Sequence, residues 1–325
     1  MAIVDKPTDY FNTKLYTGNS TDDTAITGLD FAPSLCWIKN RTDTNSHALF
    51  DTVRGATKYI ESDTTDAEAT GATFLKSFTS DGFVLGTGGR VNNSGNNYAS
   101  WNWKAGGTAS SNTDGSITSS VSANTTSGFS IVSYTGNGTA GSTIGHGLNA
   151  VPKMIIIKKI SASGTNWEVY HASLGNNKAI SLDSTGAAGT NSNWNNTTPT
   201  SSVFSIGSGG GVNASSATYI AYCFAEKQSY SKFSSYVGNG NASGTYVHLG
   251  FKPAFVMNKK TDGTMNWHIW DNKRNSYNIV DKLVYPNLSN AEDTLTSFDF
   301  VSNGFKIRDN RTFVNASGSP YIYMA

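Results

Sequence analysis

Apolar and polar residues alternate with a period of two along much of this chain, in short runs separated by glycine, asparagine, serine and threonine. Residues 129–134 form one such run and residues 233–236 another. A period of two places alternate side chains on opposite faces of a β-strand, and the intervening residue types favour turns. The continuous apolar run 154–157 predicts a buried strand. Residues 67–75 could form a short helix, but Thr70, Gly71 and Thr73 argue against it. We therefore predict an all-β protein.

The same succession of strands and turns occurs three times. A Tyr-x-Gly-Asn sequence ends a short alternating strand in each copy, and it begins at Tyr16, Tyr134 and Tyr236. A proline follows 17 or 18 residues later and starts an apolar strand, at Pro33, Pro152 and Pro253. A Val-Asn-x-Ser sequence then precedes an aromatic strand, which begins at Tyr98, Tyr219 and Tyr321. Self-similarity at a fixed period is typical of tandem repeats.

The repeats predict three tandem antiparallel β-sandwiches of jelly-roll type. We call them segment 1 (residues 1–107), segment 2 (residues 108–228) and segment 3 (residues 229–325). The stretch 105–127 has the composition of a linker. However, Ile117, Val121 and Ala123 fall on one face of a strand, so we expect part of this stretch to pair with residues 129–134.

Composition and charge narrow the function. Charged residues are only 14% of the chain and the net charge is +1, so the sequence does not predict a basic face that binds nucleic acid through its phosphates. No apolar run approaches the ~20 residues of a membrane-spanning helix, and the N-terminus lacks the apolar stretch of a secretory signal. Cys36 and Cys223 each lie in an apolar strand, which predicts packed free thiols.

Candidate catalytic chemistry is sparse. His171 aligns with Asp51 and Asp271, an exchange that suits a polar strand end better than a metal ligand. The acidic residues between Glu61 and Glu68 raise calcium binding or paired-carboxylate chemistry as alternatives to a solvated loop, and we favour the loop. The glycine-rich stretch 208–211 lacks the Lys-Ser/Thr of a phosphate-binding loop. We predict no catalytic residue, no metal ligand and no cofactor.

Tryptophans offer a binding alternative, because an exposed indole beside amides can stack on a sugar ring. We expect Trp167, Trp267 and Trp270 to lie in the core. Trp194 lies in a polar loop, and Trp194 with Asn193 and Asn195 is the candidate glycan contact. Burial of Trp194 in the core is an equally weighted alternative.

Four stretches resemble a repeat module in virion proteins of marine tailed bacteriophages: residues 127–138, 145–154, 169–174 and 217–226. Residues 37–41 with 50–57 look like the first module of the same proteins. The resemblance implies a tail-fibre-like or particle-surface structural protein without catalysis, assembled in the host cytoplasm and located in the virion. We expect contacts with other tail or capsid proteins and a closed homo-oligomer, for which a trimer is one candidate. A carbohydrate-binding module or a polysaccharide depolymerase acting on host surface glycans remains the alternative.

Overall fold

The computed structural model describes residues 4–325, which form 27 strands, two four-residue helices and one 3-10 turn. The prediction of an all-β protein is confirmed. Residues 67–75 form no helix and contain the short strand Ala69–Thr70 instead. Neither helix is long enough to cross a membrane, and no other helix occurs in the described chain.

Segment 1 contains nine strands and one helix. They are β1 (Phe11–Thr17), β2 (Thr24–Thr27), β3 (Leu35–Asn40), β4 (Ala48–Asp51), β5 (Lys58–Tyr59), β6 (Ala69–Thr70), β7 (Leu75–Thr79), β8 (Gly82–Leu85), α1 (Gly89–Asn92) and β9 (Asn97–Trp103). The 3-10 turn Pro7–Asp9 precedes β1.

Segment 2 contains ten strands. They are β10 (Ser110–Asn112), β11 (Ser119–Asn124), β12 (Phe129–Thr135), β13 (Ser142–Gly145), β14 (Pro152–Lys159), β15 (Glu168–His171), β16 (Lys178–Ser181), β17 (Gly189–Thr190), β18 (Val203–Ile206) and β19 (Thr218–Ala225).

Segment 3 contains eight strands and the second helix. They are β20 (Phe233–Val237), β21 (Tyr246–His248), β22 (Phe255–Lys260), β23 (Trp267–Asp271), β24 (Val280–Leu283), β25 (Asp293–Val301), β26 (Gly304–Ile307), α2 (Thr312–Asn315) and β27 (Pro320–Met324).

The strands of each segment form one larger and one smaller antiparallel sheet. The larger sheets run β1-β9-β3-β4, β12-β19-β14-β15 and β20-β27-β22-β23, the second of these being extended on both sides to eight strands. The smaller sheets run β2-β8-β7, β13-β18 and β21-β26-β25-β24, and β5 pairs separately with β6. In each larger sheet the strand that ends at Tyr-x-Gly-Asn pairs with the last aromatic strand of its segment.

A separate apolar core lies between the larger and smaller sheets of each segment, in a sandwich-like arrangement. In segment 2, for example, Ile155 and Cys223 of the larger sheet share a core with Ile144 and Phe204 of the smaller one. The corresponding cores of segments 1 and 3 include Phe83 and Phe305. Both cysteines are buried and unbonded to sulfur, which confirms the prediction of packed free thiols.

The opposite faces of the three larger sheets meet in a fourth, shared core. Trp101 and Trp103 of segment 1, Tyr222 of segment 2, and Phe255 and Met324 of segment 3 all belong to it. One strand contributes side chains to both cores because successive side chains point to opposite faces of a sheet. In β19, Tyr219, Ala221 and Cys223 face the core of segment 2, and the residues between them face the shared core. The larger sheets are therefore buried on both faces.

The stretch between segments 1 and 2 is partly a strand and not only a linker. Ser119–Asn124 pairs antiparallel with β12, from Ser119 opposite Tyr134 to Asn124 opposite Phe129. The pairing predicted for residues 117–123 is thus confirmed for Ser119 onward. Ile117 instead forms a parallel bridge to Ile144 of the smaller sheet.

The repeated Tyr-x-Gly-Asn and Val-Asn-x-Ser sequences form one interlocked turn. In segment 2 the hydroxyl of Tyr134 donates to the carbonyl of Val212 at 2.8 Å, and the side-chain oxygen of Asn213 accepts the Asn137 amide at 2.9 Å. The Asn213 side chain also donates to two carbonyls at 2.9 Å each. A side chain in place of Gly136 would clash, because its Cβ would lie 2.4 Å from the carbonyl oxygen of Ala214. The motif residues therefore fix the chain reversal at the end of β12.

Equivalent bonds occur in the other two segments. Tyr16 and Tyr236 donate to Val91 and Val314 at 2.8 and 2.9 Å. Asn92 and Asn315 accept the amides of Asn19 and Asn239 at 2.9 Å each. A buried asparagine whose donors and acceptor are all engaged specifies local geometry strongly. These bonds explain in structural terms why the Tyr-x-Gly-Asn and Val-Asn-x-Ser sequences recur together.

Candidate functional site

The surfaces where the three segments meet form the most elaborate polar arrangement of the described chain. At each junction an amide of one segment donates to a carbonyl of another. The bonds, each 2.9 Å long, run from Gly164 to Thr65, from Met265 to Thr185 and from Asn45 to Ser289. They connect segment 2 to 1, segment 3 to 2 and segment 1 to 3, so the contacts close a ring.

Buried indole groups form hydrogen bonds across two of the same junctions. Trp167 donates its Nε1–H to the carbonyl of Glu61 at 2.8 Å, and Trp267 donates to that of Ser181 at 2.9 Å. His47 stands at the corresponding position in segment 1, and the backbone of Tyr285 lies beside its ring. Both indoles are buried, as is that of Trp270, which confirms the expectation that Trp167, Trp267 and Trp270 lie in the core.

The polar strand ends Asp51, His171 and Asp271 lie against the neighbouring segment's last aromatic strand. Tyr222 donates its hydroxyl to Asp51 at 2.8 Å, and Trp101 donates its Nε1–H to Asp271 at 3.0 Å. At the junction between segments 2 and 3, the residue at the position of Tyr222 and Trp101 is Met324. Its side chain belongs to the shared core and has no hydrogen-bond donor. There His171 lies 3.2 Å from the carbonyl of Tyr323 instead.

A buried arginine accompanies each aspartate. Arg54 contacts Asp51 at 2.6 Å, Arg274 contacts Asp271 at 2.5 Å, and their side chains are 2% and 0% exposed. Burial alone would raise the pKa of Asp271, but the guanidinium of Arg274 and the hydrogen bonds to the carboxylate outweigh it and hold the pKa below its usual value. The corresponding residue beside His171 is Leu174, so neither charge is present at that junction.

Three lysines are buried at these junctions. Burial lowers the pKa of Lys39, Lys158 and Lys259 to about 8. The ammonium of Lys39 donates to Ser289 at 3.1 Å, and that of Lys259 to Thr185 at 3.0 Å. A lysine with a lowered pKa can act as a nucleophile, but these ammonium groups are directed at backbone carbonyls. The contacts of Lys39 and Lys259 join segments, whereas Lys158 donates to the carbonyl of Thr165 within segment 2 at 2.6 Å.

The acidic stretch 61–68 is a loop, as expected, but of its four acidic residues only Asp66 is exposed, so the expectation of a solvated loop is wrong for the other three. Asp63 accepts the amide of His47 at 3.0 Å, Glu61 pairs with Arg90, and Glu68 lies 3.5 Å from Arg54. These carboxylates are engaged because β5 and the following residues run along the junction with segment 2. The described residues contain no group of three or more His, Cys, Asp or Glu side chains suited to a metal ion.

Two further carboxylates are the most perturbed acids of segment 2. Burial, with a contribution from Asp183, raises the pKa of Glu168 to about 7, and burial raises that of Asp183 to about 6. Asp183 accepts the amide of Trp167 at 3.1 Å, as Asp63 accepts that of His47. The bond to the indole-bearing residue therefore makes Asp183 part of the junction.

Trp194 is buried, so the expectation of a surface tryptophan is wrong. Its exposed fraction is 1%, and its ring packs edge-on against Tyr170 with centroids 5.5 Å apart. Asn193 is 8% exposed and donates its amide to Asn191 at 2.6 Å, while Asn195 adopts a positive φ in the turn. An indole without solvent access cannot stack on a sugar, and the three residues form a turn that covers the core of segment 2.

Open cavities occur both at the shared core and in segment 3. The first, of about 240 Å³, lies at one end of the shared core, and its lining includes several aromatic rings, among them Phe11, Trp103, Phe129 and Phe255. The second, of about 270 Å³, lies in segment 3 beside Tyr277. The side chain of Tyr277 is 86% exposed, the highest value among the large hydrophobic residues that the structure describes. Sequence reasoning did not single out Tyr277.

Comparison with known families gives one match. Residues 6–325 match the family model of DUF7483, a domain of unknown function. The chain belongs to this family. A search of curated proteins gives no match. The match spans all three segments, and so the family domain contains the whole ring of junctions.

Proposed function

We propose that this chain is a non-catalytic structural protein of a bacteriophage particle, tail-fibre-like or otherwise at the particle surface. One observation carries the proposal: buried polar groups at the junctions are engaged in joining one segment to another and are not gathered in an open cleft. Asp271, Lys259 and Trp267 each bond across a junction or hold a group that does. The sequence resemblance to modules of phage virion proteins supplies the biological setting.

We further propose that the three segments are copies of one sandwich module. Their larger sheets have the same strand order, and equivalent residues of the Tyr-x-Gly-Asn turn make equivalent bonds. A structural protein gains rigidity from such an arrangement, since each module is held by its own core and by the shared one. The faces of the larger sheets that point away from their own cores are then already covered by one another, in the shared core of a single chain.

The oligomeric state therefore depends on the outer surfaces. The expected homo-oligomer remains a prediction, and any assembly must use surfaces other than the shared core. Light scattering on the purified chain tests it, because a monomer has a mass of 34.6 kDa and a trimer three times that value.

The decisive experiment for the virion assignment is mass spectrometry of purified particles, followed by reconstruction of the particle. We expect peptides from all three segments at a stoichiometry consistent with a tail or capsid component. Particles that lack this chain while the infected cell contains it contradict the proposal. Release of sugars from host polysaccharide by the purified chain would favour the depolymerase alternative instead.

A further inference from the structure

The loop that follows Arg274 is longer than its counterparts. Ten residues separate the bridged pair Leu49 and Ile60 in segment 1, and ten separate Val169 and Ile180 in segment 2. Fourteen separate Ile269 and Val284 in segment 3. The four extra residues lie where Tyr277 projects. The bonds from Asp271, Lys259 and Trp267 to the other segments do not involve them.

Two asparagines hold this loop in place. Asn275 donates to the carboxylate of Asp281 at 2.9 Å and accepts the amide of Lys282 at 2.8 Å. Asn278 donates to the carbonyl of Phe300 at 3.1 Å and accepts the Phe300 amide at 2.9 Å. Tyr277 lies between the two clamped residues. The backbone on either side of the exposed ring is therefore held before binding, and a pre-ordered loop loses less conformational entropy when a ligand stacks on its aromatic residue.

The cavity beside the loop combines an aromatic ring with polar groups. Tyr277, Ser276 and Asn272 line it together with the exposed ammonium of Lys252, the single charged side chain among its described lining residues. Its volume of about 270 Å³ lies just below the roughly 300–1,000 Å³ of pockets for drug-sized ligands. It is therefore suited to one small ring that carries several hydrogen-bonding groups.

We propose that this cavity binds a single uronic-acid ring of a host surface polysaccharide. The apolar face of the pyranose stacks on Tyr277, its hydroxyls meet the amide of Asn272 and the hydroxyl of Ser276, and its carboxylate faces Lys252. Aromatic rings provide apolar area with a polar edge, and lysine provides a point charge for the acid. The inference depends on the proposed function only for the place where the sugar is encountered.

Ligand-observed NMR titrations test the proposal. They measure the binding of methyl β-glucuronide and of methyl β-glucoside to the purified full chain. We expect tighter binding of the glucuronide. Tyr277→Ala should weaken both sugars about tenfold or more. Lys252→Met should weaken the glucuronide about fivefold at low salt and leave the glucoside within about twofold. Tyr246→Ala, at a tyrosine 44% exposed on β21, is the matched control and should change neither.

The outcomes separate clearly. No binding of either sugar by the folded chain, or unchanged binding by Tyr277→Ala, overturns the site. Equal affinities that Lys252→Met does not alter overturn the assignment of an acidic sugar. In particles, Tyr277→Ala should leave incorporation of the chain unchanged and lower adsorption to the host. A chain absent from particles would refute the virion assignment, whereas sugar binding by the purified chain would still stand.

Discussion

The junction between segments 2 and 3 differs from the other two in one residue. That residue ends strand β15, and its counterparts end β4 and β23. Asp51 and Asp271 each receive a hydrogen bond from an aromatic donor of the neighbouring segment and pair with a buried arginine. At the third junction His171 faces the carbonyl of Tyr323, and a leucine replaces the arginine. The residue at this position follows from what the neighbour offers, because a carboxylate needs a donor and Met324 supplies none.

Removing one aspartate should have the largest effect. Asp271→Ala removes the nearer of the two carboxylates at buried Arg274, leaving Glu292 at 3.3 Å, and it deprives the indole of Trp101 of its acceptor. We expect the free energy of unfolding to fall by about 3 kcal/mol. Chemical denaturation measures the change. Lys273→Ala, at the exposed neighbouring lysine, is the control and should stay within about 0.5 kcal/mol of the wild type. A loss below about 1 kcal/mol for Asp271→Ala would mean that the ion pair is dispensable.

The histidine junction should respond to pH. Burial lowers the pKa of His171 to about 4, from 6.5 in the unfolded chain, so the folded state favours the neutral ring. Its contribution is complete above pH 6.5 and is lost as the pH falls towards 4, by at most about 3 kcal/mol. The wild type should therefore lose more stability over this window than His171→Gln. Parallel curves for the two proteins would exclude His171 as the titrating group.

The turn asparagines should behave alike in all three segments, unlike the junction residues. Asn213→Ala removes hydrogen bonds to Asn137, Thr139 and Gly207, and we expect a loss of about 1–3 kcal/mol. The same substitution at Asn92 and Asn315 should have a similar effect, measured by denaturation of each variant. Losses that differ by more than about 2 kcal/mol would contradict the structural equivalence of the turns.

The smallest effect concerns a partly exposed pair that only the junction of segments 1 and 3 contains among the described residues. Arg41 contacts both carboxylate oxygens of Glu292 at 2.8 Å. Arg41→Met should cost about 1 kcal/mol or less, and the difference from wild type should shrink as salt is added. Thermal unfolding at low and high ionic strength measures it. A difference that is independent of salt would point to lost packing of the side chain.

Local structure was predictable from the sequence because its determinants are local. The alternation of residues 129–134, the Gly-Asn turns and the strand character near Val121 all depend on neighbours in the chain. The ring depends on contacts between residues far apart, such as Trp101 and Asp271. The exchange of aspartate for histidine at position 171 was visible in the sequence, but its cause was not.

The candidate site shows the same limit. Trp194 lies in a polar loop by composition, yet its ring packs on Tyr170, which is distant in sequence. Tyr277 carried a usable signal, because segment 3 has four more residues than its counterparts between the bridged positions. An insertion with an aromatic residue at its centre was a better indicator of exposure than a polar neighbourhood.

The closure of the ring within one polypeptide has an evolutionary consequence. Three identical subunits must carry every loop three times, and any change is multiplied by symmetry. In a ring made from one polypeptide each position mutates independently, so one segment can acquire a projecting loop while the other two keep their short connections. The longer loop after Arg274 occurs in segment 3 alone, and such a molecule would present one specialised surface on a scaffold whose three larger sheets share one strand order.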